Sequence, residues 1–109
     1  MTDILLVYIT TPGKEEAKRI AGVLIEENLA ACANIIPAVD SLYRWQGELR
    51  QSEESLLLLK THKKAFSRLA ERVKEIHPYE LPCIVALPLA DGLPGFLDWA
   101  AGEVILKQS

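Results

Sequence analysis

One six-residue segment, His77-Pro78-Tyr79-Glu80-Leu81-Pro82, constrains the fold of this chain more than any other feature. Pro78 has no backbone N–H and disfavours the α region at the residue before it, so a helix cannot run past His77. The two prolines also stiffen the turn that carries the imidazole, the phenol and the carboxylate. The segment is therefore either a rigid recognition turn or a helix-to-strand connector with a C-capping histidine.

Strand and helix patterns alternate along the rest of the chain. Apolar runs predict strands at residues 4–9, 31–43, 48–60 and 83–89. Apolar residues at helical spacing predict helices at residues 11–28 and 61–76, and a C-terminal helix is expected to begin at Pro94. The predicted buried stripes of the two long helices are Ala17, Ile20, Ala21 and Leu24, and Phe66, Leu69, Val73 and Ile76.

Capping and turn residues set the expected element ends. Thr11 and Thr61 are the expected N-caps of the two long helices. Pro37 predicts a bend or bulge in the second strand. Gly47 can take positive φ, so a hairpin turn is expected at Trp45-Gln46-Gly47. The arm after this turn is long, and its polar half is expected to project beyond the sheet.

This element order predicts an α+β fold: a ferredoxin-like βαββαβ sandwich with an extended β-hairpin and a C-terminal helix, in one domain over residues 1–109. In such a sandwich the two long helices cover one face of the sheet. The strands at residues 4–9 and 56–59 are apolar on both faces, however, so the second face also needs a cover. We therefore predict an obligate homo-oligomer built sheet face to sheet face.

Composition restricts the expected partners and compartment. The 109 residues include 12 Lys+Arg and 15 Asp+Glu, a net charge of −3, so no nucleic-acid partner is expected. The apolar runs are much shorter than the roughly 20 residues of a membrane span, so no membrane partner is expected. With no basic leader and no CxxC spacing between Cys32 and Cys83, we predict a cytoplasmic protein whose thiols are reduced and lie in the core.

The sequence motifs predict that the protein is not an enzyme. It contains no GxSxG, Walker A, HExxH or GxGxxG motif. An acylphosphatase-like hydrolase on the same fold would need an arginine-bearing phosphate cradle after the first strand. Residues 10–14 offer a helix N-terminus there but no arginine, so this is the least favoured class.

Few titratable side chains are candidates for binding chemistry. Glu53 and Glu54 are expected to be solvated hairpin charges, because neighbours on a strand point to opposite faces. His62 stands beside two lysines and is expected at the surface. His77 is followed by a phenol and a carboxylate in a rigid turn, a donor set in which imidazole and oxygen could hold Cu(II) or zinc.

An aromatic and cationic cluster, Tyr43-Arg44-Trp45, lies at the predicted hairpin tip. Exposed aromatic residues at a projecting tip are typical of a contact surface. The alternative is that they pack under a neighbouring subunit, and the predicted oligomer favours this second interpretation.

Several segments together resemble the CutA family of divalent-cation tolerance proteins. The similarity extends over nearly the whole chain, in order, and a late Phe96-Leu97-Asp98-Trp99 segment also fits it. The principal matching stretches are Ala30-Ala31-Cys32-Ala33-Asn34-Ile35-Ile36, Ser41-Leu42-Tyr43-Arg44-Trp45-Gln46-Gly47-Glu48, Leu57-Leu58-Leu59-Lys60-Thr61 and the His77–Pro82 segment. The resemblance implies a ferredoxin-like homotrimer related to PII signalling proteins, a cytoplasmic setting and a link to copper and other divalent metal ions.

The resemblance also implies site residues. Some family members place a cysteine at the end of the first strand and a His-His pair before the Pro-Tyr as copper ligands. Those positions here hold Ile9, Ile76 and His77, which leaves His77 as the implied metal ligand. The implied intersubunit pocket consists of Cys32, Tyr43, Trp45, Lys60, His77, Tyr79 and Glu80.

Two functional hypotheses follow from these patterns. The first is a trimeric, non-catalytic binding protein of the response to copper and other divalent metal ions, with Cu(II) or another divalent cation as ligand and no cofactor needed for folding. The alternative is a PII-like signalling or scaffold trimer that binds a protein partner or a small anion without a specific metal site.

Overall fold

The structure is a computed structural model that describes residues 1–106; residues 107–109 of the predicted domain lie outside the described residues. Within that range it confirms the predicted α+β fold with an extended hairpin and a C-terminal helix. A short 3₁₀ turn at Lys63–Ala65 precedes the second helix. The strands are β1 (Ile4–Thr11), β2 (Cys32–Trp45), β3 (Glu48–His62) and β4 (Ile84–Pro88), and the helices are α1 (Lys14–Glu26), α2 (Phe66–Ile76) and α3 (Pro94–Gly102).

The four strands form an antiparallel sheet in the order β2-β3-β1-β4. β1 pairs with residues 55–62 of β3, so residues 48–54 pair with β2 alone and the hairpin projects as predicted. Gln46 and Gly47 form its two-residue turn with φ of 51° and 81°. The register of β2 shifts between Ile36 and Val39, which confirms the irregularity predicted from Pro37.

The main core lies between the sheet and the two long helices. Ala17, Ile20, Ala21 and Leu24 of α1 are buried as predicted. On α2, Leu69 and Val73 are fully buried, and Phe66 and Ile76 pack at the edge of the core. The helices meet Val7, Ile9, Leu57 and Leu59, alternate residues of the two central strands.

The opposite surface of the sheet, called the open face below, is mostly uncovered. Helix α3 covers one end of it, where Ala100 and Val104 pack with Ile4. Val85 and Leu87 of β4 each keep 51% of their surface exposed. The register places these residues on the open face: Leu6, Tyr8 and Thr10 of β1, Glu54, Leu56, Leu58 and Lys60 of β3, Cys32, Asn34 and Ile36 of β2, and Val85 and Leu87 of β4.

Both predicted threonine caps are wrong, because each threonine continues its strand. Thr11 is fully buried, and its hydroxyl donates to the carbonyl of Gly13; α1 begins only at Lys14. Thr61 is fully buried and donates to the carbonyl of Leu29 at 2.7 Å. Long-range partners that a local pattern does not contain hold both hydroxyls.

His62 was predicted at the surface and is instead buried. Its ring Nδ1 accepts a hydrogen bond from the backbone N–H of Lys64, so it caps the 3₁₀ turn that leads into α2. The helix start therefore depends on an imidazole acceptor rather than on the Thr61 hydroxyl. Among the described residues, no helix combines the length and apolarity needed to cross a membrane.

Candidate functional site

A cavity of about 780 Å³ opens where the hairpin leaves the open face. Its walls come from β1, from the projecting hairpin and from the turn between α2 and β4. Four of the predicted pocket residues line it: Tyr43, Trp45, Tyr79 and Glu80. The sequence prediction omitted Glu54, Asp40 and Cys83, which also line it, together with Tyr8 and Thr10 of β1.

Glu54 is the buried carboxylate of this cavity. Only 7% of its surface is exposed, and its Oε2 accepts a hydrogen bond of 2.6 Å from the Tyr79 hydroxyl. The prediction that both glutamates of the pair are solvated is thus right for Glu53 and wrong for Glu54. A sequence signal existed: Glu54 lies two residues before Leu56, so strand alternation places both on the same face.

Loss of solvent contact and the charge of Glu54 raise the pKa values of two neighbouring side chains, Tyr79 and Cys83. Burial, followed by the hydrogen bond to Glu54 and its charge, raises the pKa of the Tyr79 phenol well above its usual range. Partial desolvation beside the cavity, followed by the Glu54 charge, also raises the pKa of the Cys83 thiol. Cys83 was predicted in the core, but it is exposed beside the cavity, because it precedes β4 instead of lying within it.

Because its pKa is raised, we expect Tyr79 to ionise well above the usual range of a tyrosine, as followed by phenolate absorbance. A raised folded-state pKa means that its stabilising contribution is complete below the unfolded value of about pH 10 and is lost as pH rises through the folded value. Tyr79→Phe should remove this alkaline loss of stability, whereas the exposed Tyr43→Phe should retain it. An unchanged alkaline profile in Tyr79→Phe would contradict the assignment.

His77 lies behind the cavity rather than in it. The ring is 7% exposed, and Nδ1 accepts a 3.1 Å hydrogen bond from the backbone N–H of Tyr79. Because Nδ1 is an acceptor, the proton of the neutral ring is on Nε2, which donates to the carbonyl of Thr10 at 2.8 Å. The imidazole therefore ties the end of β1 to the turn that carries Tyr79.

These contacts do not fit a copper centre on the implied ligand set. Both nitrogens of His77 are engaged within the chain, and a metal needs an imidazole lone pair. Ile9 is fully buried in the core, and Ile76 packs at its edge. Across residues 1–106, no group of three or more His, Cys, Asp or Glu side chains could hold a metal ion.

Cys32 and Lys60 lie elsewhere on the open face. They pair across β2 and β3 at the end near α3, away from the cavity. The Lys60 ammonium is 4.0 Å from the Cys32 sulfur and 3.4 Å from Asn34 Oδ1, and it stands 5.7 Å from the centroid of the Phe96 ring. One chain alone therefore does not bring these two predicted pocket residues to the other four.

Comparison with known proteins identifies one family and several relatives of this chain. Residues 5–103 match the profile of a family described as CutA1 divalent ion tolerance protein. The divalent-cation tolerance protein CutA of Thermus thermophilus is 55% identical over 94 residues, which are 86% of this chain and 91% of that protein. The chloroplastic CutA 1 protein of rice is 43% identical over 95 residues, 87% of this chain but only 54% of that longer protein.

Solved structures show the same architecture. The Thermus thermophilus divalent cation tolerance protein matches with a TM-score of 0.91 at 51% identity, over 93% of this chain and 98% of that one. CutA1 of Oryza sativa matches with a TM-score of 0.93 at 39% identity, over 97% of both chains. The periplasmic divalent cation tolerance protein CutA of Archaeoglobus fulgidus matches with a TM-score of 0.90 at 40% identity, over 94% of this chain and 99% of that one.

The fold and these neighbours define a ferredoxin-like, PII-like protein of the divalent-cation tolerance class. The chain belongs to the CutA1 divalent ion tolerance family.

Proposed function

We propose that this chain works as a homotrimeric, non-catalytic binding protein in the response to copper and other divalent metal ions. The observation that carries the proposed assembly is the uncovered open face, where Val85 and Leu87 are half exposed and Ile36 is 42% exposed; the link to divalent metal ions comes from the family to which the chain belongs. Large apolar side chains left exposed on one face of a sheet are typical of an interface. The number of three subunits comes from the family resemblance.

The proposed trimer accounts for the divided set of pocket residues. A neighbouring copy seated on the open face would bring its Cys32 and Lys60 toward the cavity lined by Tyr43, Tyr79 and Glu80 of the first chain. The test is sedimentation equilibrium of the purified protein over a wide concentration range. A mass of three chains supports the proposal, and a monomer at micromolar concentration refutes it.

The chemistry of the cavity supports a binding role over catalysis. A nucleophilic cysteine needs a lowered pKa, and the pKa of Cys83 is raised. The Tyr79 phenol is likewise held in its protonated form, with Glu54 as the acceptor of its hydrogen bond. Neither group is activated as a nucleophile or general base at neutral pH.

A Cu(II) or other divalent-cation ligand stays a prediction from the resemblance, and His77 is not its proposed ligand. We expect calorimetric titration of Cu(II) into metal-free protein to show no binding that depends on His77, because both nitrogens of its ring are engaged. His77→Asn should give the same isotherm. Saturable micromolar binding that disappears in His77→Asn would restore His77 as a ligand.

The projecting hairpin favours one alternative, a scaffold that binds a protein partner. Leu42 and Leu49 are 63% and 71% exposed on the arms that also carry Tyr43 and Trp45. A small anion is the less favoured ligand, since Asp40, Glu54 and Glu80 line the cavity with Arg50 as the opposing charge. Partner capture that survives loss of the Tyr43 and Trp45 side chains would count against the scaffold.

We also propose the cytoplasm as the compartment, in keeping with the two free thiols of Cys32 and Cys83. The Archaeoglobus fulgidus relative is described as periplasmic, so the compartment can differ between relatives. Cell fractionation of the native source decides between the two.

A further inference from the structure

Two charged side chains on the open face lack an opposite charge among the described residues. Only 7% of the surface of Glu54 is exposed, yet no Lys, Arg or His among residues 1–106 forms an ion pair with it. Its Oε2 is occupied by Tyr79, and no described residue donates to Oε1. A largely buried carboxylate is costly unless it is paired, and no side-chain oxygen of the described residues is both buried and without a partner, so Oε1 stays open to a cation from outside the chain.

Lys60 is the complementary case. It is partly buried, and among the described residues its ammonium contacts the Cys32 sulfur, the Asn34 Oδ1 atom and the Phe96 ring. No Asp or Glu in the described part of the chain lies within ion-pair distance of it. Lys60 and Glu54 share one face of β3, six residues or about 20 Å apart, so they cannot meet within one copy.

The other basic residue of this face already has a partner. Arg50 lines the cavity, but its guanidinium forms an ion pair with Glu48 at 3.3 Å. Leu56, which is buried, and Leu58, which is partly exposed, separate Glu54 from Lys60 along the strand. Among the described residues, the face thus carries an unpaired anion at one end and an unpaired cation at the other.

We propose that Glu54 of each copy binds Lys60 of the next copy, so that this ion pair, supported by the Tyr79 hydroxyl, selects how the subunits seat on each other. The inference rests on the proposed trimer and names the residue that the neighbouring copy contributes to the cavity. Charge complementarity of this kind fixes the register of an interface. A copy placed in another register would leave both charges buried and unpaired.

Charge reversal provides the test, with the mass of the full-length protein measured by sedimentation over a dilution series. Glu54→Lys and Lys60→Glu should each raise the protein concentration at which half of the trimer has dissociated, called the dissociation midpoint, at least about a hundredfold. Each reversal puts like charges together in a buried contact. The double variant should recover to within about tenfold of the wild type. Glu53→Lys is the matched control: the same change one residue away, on an exposed side chain, should leave the midpoint unchanged.

Milder variants keep the test valid if a reversal impairs folding. Glu54→Gln preserves an acceptor for Tyr79, and Lys60→Met preserves the aliphatic stem. Each should weaken association, and the double variant should be no weaker than the more affected single one, as expected of a broken pair. A wild-type trimer with additive effects, or without rescue in the reversed double variant, overturns the Glu54–Lys60 pair but leaves the trimer intact; a monomeric wild type overturns the trimer itself.

Discussion

Leu87→Glu is expected to convert the assembled protein into folded monomers. Leu87 lies on the open face and is 51% exposed in the single chain, so its substitution scarcely disturbs the core of that chain. In the proposed trimer the same side chain is buried by a neighbour. A carboxylate there would lose its hydration, and Lys60 in the same row of the open face is engaged by Glu54 of the next copy in the proposed assembly, so the cost is several kcal/mol per site.

Symmetry multiplies this cost. Each closed ring contains the same interface three times, so one substitution enters every contact. At about 1.4 kcal/mol per factor of ten, a penalty of roughly 4 kcal/mol weakens each of the three interfaces about a thousandfold. We expect the sedimentation mass to fall to that of one chain at micromolar concentration, with the far-ultraviolet circular dichroism preserved.

The control for Leu87→Glu is Ile25→Glu on the opposite layer. Ile25 belongs to α1 and is 40% exposed, so it receives the same charge at a comparable exposure but away from the open face. It should retain the wild-type mass. Dissociation by Ile25→Glu, or a wild-type mass for Leu87→Glu, would show that the interface lies elsewhere.

Periodicity made most of this fold predictable. The stripes of α1 and α2 depend on residues within two or three turns of one another, and the hairpin depends on Gln46 and Gly47 between two paired arms. The uncovered sheet face was also predictable, because apolar residues at successive positions of β1 and β3 must point to both faces. The helix stripes and the hairpin are local features, and the uncovered face follows from the alternation of side chains between the two faces of a sheet.

The errors arose where a long-range contact decides the role of a polar side chain. Thr61 has the local pattern of a cap, but its partner is the carbonyl of Leu29, 32 residues earlier. The local sequence of Glu54 predicts a solvated charge, but its hydrogen-bond partner, Tyr79, lies 25 residues later in the chain. His77 was correctly expected at the helix end, but its second contact, the Thr10 carbonyl, is 67 residues away.

His77→Ala is expected to produce the largest loss of stability among single substitutions in and behind the cavity. It leaves the Thr10 carbonyl and the Tyr79 N–H without their partner at a site that is 7% exposed. Two unsatisfied buried groups and the space left by the ring together predict a destabilisation of about 2–5 kcal/mol. Denaturant unfolding at a fixed protein concentration measures it, since the stability of an oligomer depends on concentration.

His77→Asn separates the two contacts of the ring. An asparagine side chain readily accepts a hydrogen bond from the backbone N–H two residues on, so it can replace Nδ1 toward Tyr79. Its shorter side chain does not span the distance to Thr10 that the imidazole bridges. We therefore expect His77→Asn to lose roughly half as much stability as His77→Ala. It should also keep the late phenolate titration of Tyr79, which His77→Ala should lose as the turn loosens. If the two variants unfold alike, or if His77→Ala remains as stable as the wild type, then His77 does not hold the turn of Tyr79 against β1.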